Sequence, residues 1–260
     1  MIDILMPLLA DIAKVGDQAY EKYRTDVQIH KKDDKSPVTN VDRLIHAELS
    51  QSLAHFFADI PVVSEEGDIP SVAERQAMDA YWLLDPLDGT QAFIDETDQF
   101  VISLGYITKQ QPTMGILHHP VSGKTWIGIQ NRGVFVQHHG GEICPIQPPV
   151  PRDDYIILVS AHYNDQDLAN VVARQRSKEQ SKPVVLKPVS SALKFGYLAE
   201  GLADEYLRFT QMMEWDFAAG HCIALESGFN VLPLDPNESV VYGSASMKVP
   251  PMSVRKNNPI

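Results

Sequence analysis

Two aspartates in this sequence, Asp85 and Asp88, lie three residues apart directly after a short apolar run. Pro86 stiffens the turn between them, and Gly89 allows the backbone to approach a ligand closely. Helix-like sequence follows Thr90, so free N–H groups near Gly89 and Thr90 could face an anion. Two carboxylates, a carbonyl between them and a helix start suit a divalent metal with a phosphate, because hard cations such as magnesium take oxygen ligands. Taken alone, the same spacing also fits an ordinary acidic turn.

Three further acidic positions occur where they could point at the same place. Glu65 ends a predicted strand, Asp42 lies in the first turn of a predicted helix, and Asp216 opens an apolar helix. Each has a simpler interpretation when it is considered alone: Asp42 as a solvated first-turn acid and Asp216 as a helix N-cap.

Together these positions form one ordered pattern over roughly residues 33–230. Its four parts are Ser36-Pro37-Val38-Thr39 before Asp42, Ser64-Glu65-Glu66, Asp85-Pro86-Leu87-Asp88-Gly89-Thr90, and Glu214-Trp215-Asp216 followed by Ala218-Ala219-Gly220. The pattern resembles the inositol-monophosphatase superfamily of lithium-sensitive, magnesium-dependent phosphatases. The resemblance implies an α/β fold, a layered α/β/α/β/α sandwich, with the site between its two halves.

The resemblance also implies a magnesium centre of two or three ions. One ion would be held by Glu65, Asp85 and the Leu87 carbonyl, and a second by Asp85, Asp88 and Asp216. Asp85 would therefore bridge the two ions, as in other two-metal phosphatases.

The catalytic roles implied by the resemblance fall on Asp42, Thr90 and Glu65. The Thr90 hydroxyl, hydrogen-bonded to Asp42, would orient and deprotonate the attacking water, and Glu65 would take part through its metal. The N–H groups of Gly89 and Thr90 would hold phosphate oxygens.

Within the superfamily, the chain is most similar to the 3'(2'),5'-bisphosphate nucleotidase group. The similarity is carried by Lys32 ahead of the first motif, by the segment 191–195 and by the segment 206–209. It implies substrate contacts from six residues: Gly89, His162, Ser191, Lys194, Arg208 and Asp216, in addition to Thr90. The implied reaction releases the 3'-phosphate of adenosine 3',5'-bisphosphate, giving AMP and phosphate. The 5'-phosphosulfate analogue is a second implied substrate, with a link to sulfur assimilation.

Two alternatives stay open at this point. One is an inositol monophosphatase or another sugar-phosphate phosphatase, and the other is a non-catalytic module that binds metal or nucleotide.

Composition excludes some partners. The 260 residues carry a net charge of −12 and no long basic run, so nucleic acid is not an expected partner. No apolar run is long enough to span a bilayer, and two cysteines do not make a disulfide framework. We expect a cytoplasmic protein without a signal peptide; the family resemblance leaves a homodimer and peripheral attachment at the inner membrane open.

The pattern of elements predicts two halves, residues 1–146 and 147–260, divided at a proline-rich segment that begins at Gln147. The first half should begin with helices over 4–23 and from Thr39 or Asn40, separated by a loop over 31–37. An antiparallel meander should follow from Phe100 to Gln137. In the second half, strands and helices alternate, which is typical of α/β structure.

Overall fold

The computed structural model describes residues 2–25, 27–32, 36–161 and 166–256. Its helices are α1 (Ile2–Lys22), α2 (Asn40–Phe56), α3 (Val72–Ala77), α4 (Thr90–Ile94), α5 (Gln166–Gln180), α6 (Leu193–Ala199) and α7 (Glu214–Glu226). The strands before residue 150 are β1 (Ile29–Lys31), β2 (Pro37–Thr39), β3 (Val62–Ser64), β4 (Ala80–Asp88), β5 (Val101–Thr108), β6 (Gln111–His119), β7 (Lys124–Ile129), β8 (Gly133–His138) and β9 (Cys144–Pro145). The later strands are β10 (Tyr155–Ser160), β11 (Val184–Val189), β12 (Glu205–Arg208), β13 (Met212–Met213), β14 (Asn230–Pro233), β15 (Lys248–Val249) and β16 (Met252–Arg255).

The larger sheet has seven strands in chain order, from β3 to β9. Only β3 and β4 are parallel, and the pairs from β4 to β9 are antiparallel. The meander predicted between Phe100 and Gln137 is confirmed. Helices α1 and α2 cover one face of this sheet, and their apolar stripes, which include Leu8, Ile12 and Ile45, are completely buried there.

The smaller sheet has five strands in the order β11-β10-β12-β16-β14. Strands β10, β11 and β12 are parallel, while β16 runs antiparallel to both β12 and β14. Helix α5 covers its outer face through a small apolar cluster around Ile157 and Ala169.

Helices α6 and α7 lie between the two sheets. Helix α7 contacts β5, β6 and β7 on one side and β14 on the other. It approaches the larger sheet so closely that a Cβ atom on Gly115 would lie 2.1 Å from the carbonyl oxygen of Ala219. The layers therefore follow the order α1–α2, larger sheet, α6–α7, smaller sheet, α5, which confirms the predicted α/β/α/β/α sandwich.

Several elements differ from the sequence prediction. The segment predicted as a loop over 31–37 is flanked by β1 and β2, which pair as an antiparallel hairpin. Helix α3 and the strands after residue 229 were not predicted. The division of the chain at 146/147 stays a prediction. Helix α7, which belongs to the predicted second half, packs on the larger sheet of the predicted first half. Within the described residues, no helix combines the length and apolarity needed to cross a membrane.

Candidate active site

Strand β4 carries three of the five predicted metal ligands, Asp85, Leu87 and Asp88. The strand pairs with β5, and its residues from Tyr81 to Leu84 are buried, but the register shifts between Asp85 and Asp88. Pro86 lies in this shifted segment, where a residue without an N–H does not interrupt the ladder. The Leu87 N–H donates to Asp85 Oδ1 over 3.0 Å, which fixes the Asp85 carboxylate at the end of the strand.

Glu65 reaches Asp85 because β3 is parallel to β4. Ser64 pairs with Leu84, and the Glu65 N–H donates to the Leu84 carbonyl over 3.1 Å, so both strands end at the same edge. Asp216 approaches from α7. Single ligand atoms of Glu65, Asp85 and Asp216 all lie within 4.8 Å of one another.

Asp216 does not occupy the N-cap position that its simpler interpretation assigns to it. The N-cap of α7 is Met213, and Asp216 is the third residue of the helix, where its Oδ2 accepts the Met213 N–H over 3.1 Å. One of its carboxylate oxygens therefore secures the start of the helix.

The other two predicted ligands are held by neighbouring contacts. Asp88 Oδ2 accepts the Ala192 N–H from the turn before α6. The Leu87 carbonyl oxygen lies 3.1 Å from Thr90 Oγ1. The Leu87 carbonyl and the Asp88 carboxylate thus lie at the same end of β4 as Asp85. They are not part of the compact cluster formed by Glu65, Asp85 and Asp216.

Burial of these carboxylates creates an electrostatic need for a cation. Burial first, and then repulsion among the neighbouring carboxylates, holds the pKa of Asp85 and of Asp216 well above the usual range. Burial also raises the pKa of Asp88 to about 6, although the nearby Lys194 opposes the shift. Buried acids with this much mutual repulsion and only oxygen donors fit a hard divalent cation.

A lysine already approaches this group from the β1–β2 hairpin. Lys32 Nζ lies 2.6 Å from Glu65 Oε1 and also pairs with Glu66. Lys32 was part of the predicted motif, but only the tertiary structure places its ammonium on a predicted metal ligand.

Asp42 and Thr90 form the predicted catalytic pair. The Thr90 hydroxyl lies 3.0 Å from Asp42 Oδ1, and Asp42 Oδ2 accepts the Thr39 N–H over 2.8 Å. Thr39 is the N-cap of α2, so a capping box fixes the Asp42 side chain. Burial raises the pKa of Asp42 to about 6, against hydrogen bonds from Thr39 and Thr90 that lower it.

A cavity of about 190 Å³ adjoins the carboxylates. Its wall contains the predicted residues Asp88, Gly89, Ser191, Lys194, Arg208 and Asp216. Gly89 takes a φ of 96°, a left-handed conformation that favours glycine, and α4 begins at the next residue. Larger cavities of about 330 and 390 Å³ lie away from the carboxylates, so size alone does not identify the site.

The cavity wall also contains residues that sequence reasoning missed. They include Gln91, Ser160, Tyr206 and Met212. Ser160 is the last residue of β10 and lies two positions before His162, a predicted substrate contact. That proximity in sequence could have identified Ser160 as part of the site. The predicted contact at His162 lies outside the described residues.

The two predicted phosphate-binding cations differ in their surroundings. The Lys194 ammonium is buried and donates to the carbonyls of Val189 (3.0 Å) and Ser191, and burial lowers its pKa to about 7. Arg208 is half-buried, and its Nε and Nη2 donate to the carbonyls of Thr210 and Gln211, both over 3.1 Å.

Comparisons with known proteins place this geometry in a family. The model of the inositol monophosphatase family matches residues 1–258. The 3'(2'),5'-bisphosphate nucleotidase CysQ of Aggregatibacter actinomycetemcomitans is 30% identical over 240 residues, which cover 88% of this chain and 85% of the relative. The crystal structure of CysQ from Bacteroides thetaiotaomicron, a bacterial member of the inositol monophosphatase family, is 26% identical and aligns over 99% of this chain and 98% of its own, with a TM-score of 0.83.

A third comparison concerns the fold alone. An IMPase/NADP phosphatase, solved in complex with Mg²⁺ and phosphate, is 20% identical and aligns over 96% of this chain and 89% of its own, with a TM-score of 0.74. The family model matches nearly the whole chain, and the CysQ structure from Bacteroides thetaiotaomicron aligns with nearly all of it. This chain therefore belongs to the inositol monophosphatase family.

Proposed function

We propose that this protein is a magnesium-dependent phosphatase that hydrolyses the 3'-phosphate of adenosine 3',5'-bisphosphate, giving AMP and phosphate. The observation that carries the proposal is the close group of Glu65, Asp85 and Asp216, of which Asp85 is buried, beside a cavity whose wall holds Arg208 and Lys194. The similarity to CysQ nucleotidases over most of the chain supports the choice of substrate.

The predicted ligands fit magnesium because every donor is oxygen and several carboxylates lie close together, with Asp85 buried and the others half-buried. Glu65, Asp85 and the Leu87 carbonyl would hold one ion, and Asp85, Asp88 and Asp216 a second. Bound magnesium supplies positive charge that offsets the repulsion between these acids and the phosphate, and it polarises the phosphoryl oxygens. The number of ions is part of the proposal, and calorimetric titration with MgCl₂ would count them.

Thr90 and Asp42 provide the path for a proton. A water hydrogen-bonded to the Thr90 hydroxyl attacks phosphorus, and the bond from phosphorus to the 3'-oxygen breaks. The water proton passes to Thr90 Oγ1 while the threonine proton passes to Asp42 Oδ1, 3.0 Å away. The released 3'-alkoxide takes up a proton from solvent water and becomes the 3'-hydroxyl of AMP. A carboxyl group with a pKa of about 6 can accept a proton at neutral pH and release it again.

The second phosphate of the substrate needs cations of its own, since the protein carries a net charge of −12. Arg208 presents a planar fork of donors suited to phosphate, and two of its nitrogens already hold carbonyls that fix its orientation. Lys194 lines the same cavity, and because burial lowers its pKa to about 7, a phosphate bound there would favour its charged form.

We expect Arg208→Ala to lower kcat/KM for adenosine 3',5'-bisphosphate by about 10- to 100-fold, the range for one charge-assisted hydrogen bond. Activity on a substrate with a single phosphate should change little. Lys194→Met should have a smaller effect of the same kind. Equal losses on both substrates would instead show that the two residues are structural.

The substrate assignment is tested by comparing kcat/KM for three compounds: adenosine 3',5'-bisphosphate, inositol 1-phosphate and fructose 1,6-bisphosphate. The proposal predicts the highest value for the nucleotide. A preference for inositol 1-phosphate would make the protein an inositol monophosphatase. No turnover of any of the three despite tight magnesium binding would favour a binding module. Light scattering in solution would measure the molar mass of the protein and so show whether it forms a homodimer.

A further inference from the structure

The turn that carries Glu65 has little support from the sheet. Strand β3 is three residues long and forms an edge of the seven-stranded sheet. Beyond Ser64, the Glu65 N–H still reaches β4, and the Gly67 N–H donates to the Ser64 carbonyl over 3.1 Å. A metal ligand at the end of such a short edge strand needs another contact to hold its direction.

A buried hydrogen bond below the turn supplies that contact. The Ser64 side chain is 2% exposed, and its hydroxyl shares a 2.9 Å hydrogen bond with His46 Nδ1. The same hydroxyl accepts the Glu66 N–H over 3.4 Å. The His46 ring also packs against the turn, because a Cβ atom on Gly67 would lie 3.1 Å from His46 Cε1. The imidazole therefore contacts the turn on both sides of Glu65.

His46 also links the two parts of the candidate site. It follows Asp42 by one helical turn of α2, so the two side chains lie on the same face of the helix. Asp42 accepts the Thr90 hydroxyl, and His46 bonds Ser64, the residue before Glu65. One face of α2 thus contacts both the catalytic threonine and the turn of a predicted metal ligand.

We propose that His46 is a positioning residue, which acts through the Ser64 hydroxyl to hold the Glu65 carboxylate in place for magnesium. The inference rests on the proposed function for the role of Glu65 as a ligand. His46 holds the turn through its Nδ1 hydrogen bond to Ser64 and not through the bulk of its ring.

The alternative is that His46 only fills space between α2 and the turn. A leucine of similar size would then serve equally well, and magnesium binding would not respond to the loss of the hydrogen bond.

The test compares two substitutions of His46 by calorimetric titration of the full chain with MgCl₂. His46→Leu removes the hydrogen bond, whereas His46→Asn keeps an amide group near the position of Nδ1. We expect His46→Leu to raise the Kd for magnesium about 3- to 10-fold, the range for the loss of one hydrogen bond, and His46→Asn to stay within about twofold of wild type. The matched control is His55→Leu, an exposed histidine in the last turn of the same helix, which should leave the Kd unchanged.

A kinetic measurement separates positioning from general damage. In His46→Leu, the magnesium concentration for half-maximal activity should rise by the same factor. The KM for nucleotide and the kcat at saturating magnesium should stay near wild type, because the pair of Asp42 and Thr90 is unchanged.

The results that overturn the inference differ from those that overturn the proposed function. Wild-type magnesium affinity in His46→Leu, or equal weakening in His46→Leu and His46→Asn, contradicts a positioning role. If His46→Leu does not fold, Ser64→Ala tests the same hydrogen bond by removing one oxygen atom, and an unchanged Kd there contradicts the inference. A wild-type protein that binds no magnesium contradicts the proposed function itself.

Discussion

Replacing Asp85 with asparagine should stabilise the metal-free protein and remove its response to magnesium. Asp85 is 3% exposed, and its pKa is raised by burial and by the carboxylates of Glu65, Asp88 and Asp216. Asparagine removes that charge but can still accept the Leu87 N–H, which Asp85 Oδ1 accepts at 3.0 Å. The turn should therefore persist while the repulsion falls.

The two effects should have opposite signs and measurable sizes. A stabilising substitution commonly yields about 0.5–2 kcal/mol, which corresponds to a rise of about 1–8 °C in Tm for a chain of this size. Magnesium at about 100 times its Kd should stabilise the wild type by about 2.7 kcal/mol, or roughly 5–11 °C. In thermal unfolding scans, Asp85→Asn should thus be the more stable protein in EDTA and the less stable one in magnesium, and it should have lost its phosphatase activity.

The control for this prediction is Asp79→Asn, at an exposed position just before the start of the same strand. It should leave both Tm values and the activity unchanged. A metal-free Asp85→Asn protein less stable than wild type, or one that magnesium stabilises as strongly as wild type, would refute the assignment of Asp85 to a repulsive metal site.

Three further predictions test other parts of the structure. Thr90→Ala should lower kcat about 10²-fold with KM nearly unchanged, and Thr90→Ser should restore much of it; a raised KM with normal kcat would make Thr90 a binding residue. Arg176→Met leaves the buried Glu205 carboxylate without the guanidinium now 2.7 Å away, so denaturant unfolding should show a loss of about 3–5 kcal/mol, and a loss under about 1 kcal/mol would contradict this. Burial lowers the pKa of His221 to about 4, so only the unfolded chain takes up its proton as pH falls below about 6.5. The stability linked to neutral His221 is therefore complete above that pH and declines by up to about 1.4 kcal/mol per pH unit towards pH 4. As the pH is lowered, the free energy of unfolding of His221→Phe should fall less steeply than that of wild type. Parallel pH profiles of the two proteins would refute the lowered pKa of His221.

The grouping of the predicted metal ligands on β4 follows from the sequence because its signals are local. Asp85, Asp88 and Gly89 occupy one turn, where spacing and residue type already restrict the geometry. The second helix was predicted to begin from Thr39 or Asn40; in the structure Thr39 is the N-cap of α2 and Asn40 its first residue. The family resemblance then ordered the distant acids Asp42, Glu65 and Asp216, which no spacing argument could have brought together.

Contacts between distant segments could not be predicted in the same way. The pairing of Lys32 with Glu65 depends on how the β1–β2 hairpin packs, and the bond between His46 and Ser64 depends on how α2 crosses the larger sheet. Ser64 belongs to one of the predicted motifs but His46 to none, and no spacing in the sequence pairs the two residues. Helix α7 did carry a signal, because apolar residues cover all its faces, which is typical of a helix buried on both sides.

The late strands were missed for a different reason. Strand β14 ends at Pro233 and is followed by a polar stretch, and β16 is only four residues long. Such short runs show too few alternations for the period of a strand to be recognised. They form because β12 supplies a partner for β16, which in turn pairs with β14.

The central claim is that this site removes the 3'-phosphate of a bisphosphorylated nucleotide with the help of magnesium. Phosphorus NMR of adenosine 3',5'-bisphosphate incubated with the protein tests it most directly, because the two phosphates and free phosphate give separate signals. In magnesium, we expect the 3'-phosphate signal to be replaced by free phosphate while the 5'-phosphate signal remains, and EDTA should stop the reaction. Loss of the 5'-phosphate, turnover that persists in EDTA, or an unchanged spectrum in magnesium would contradict it.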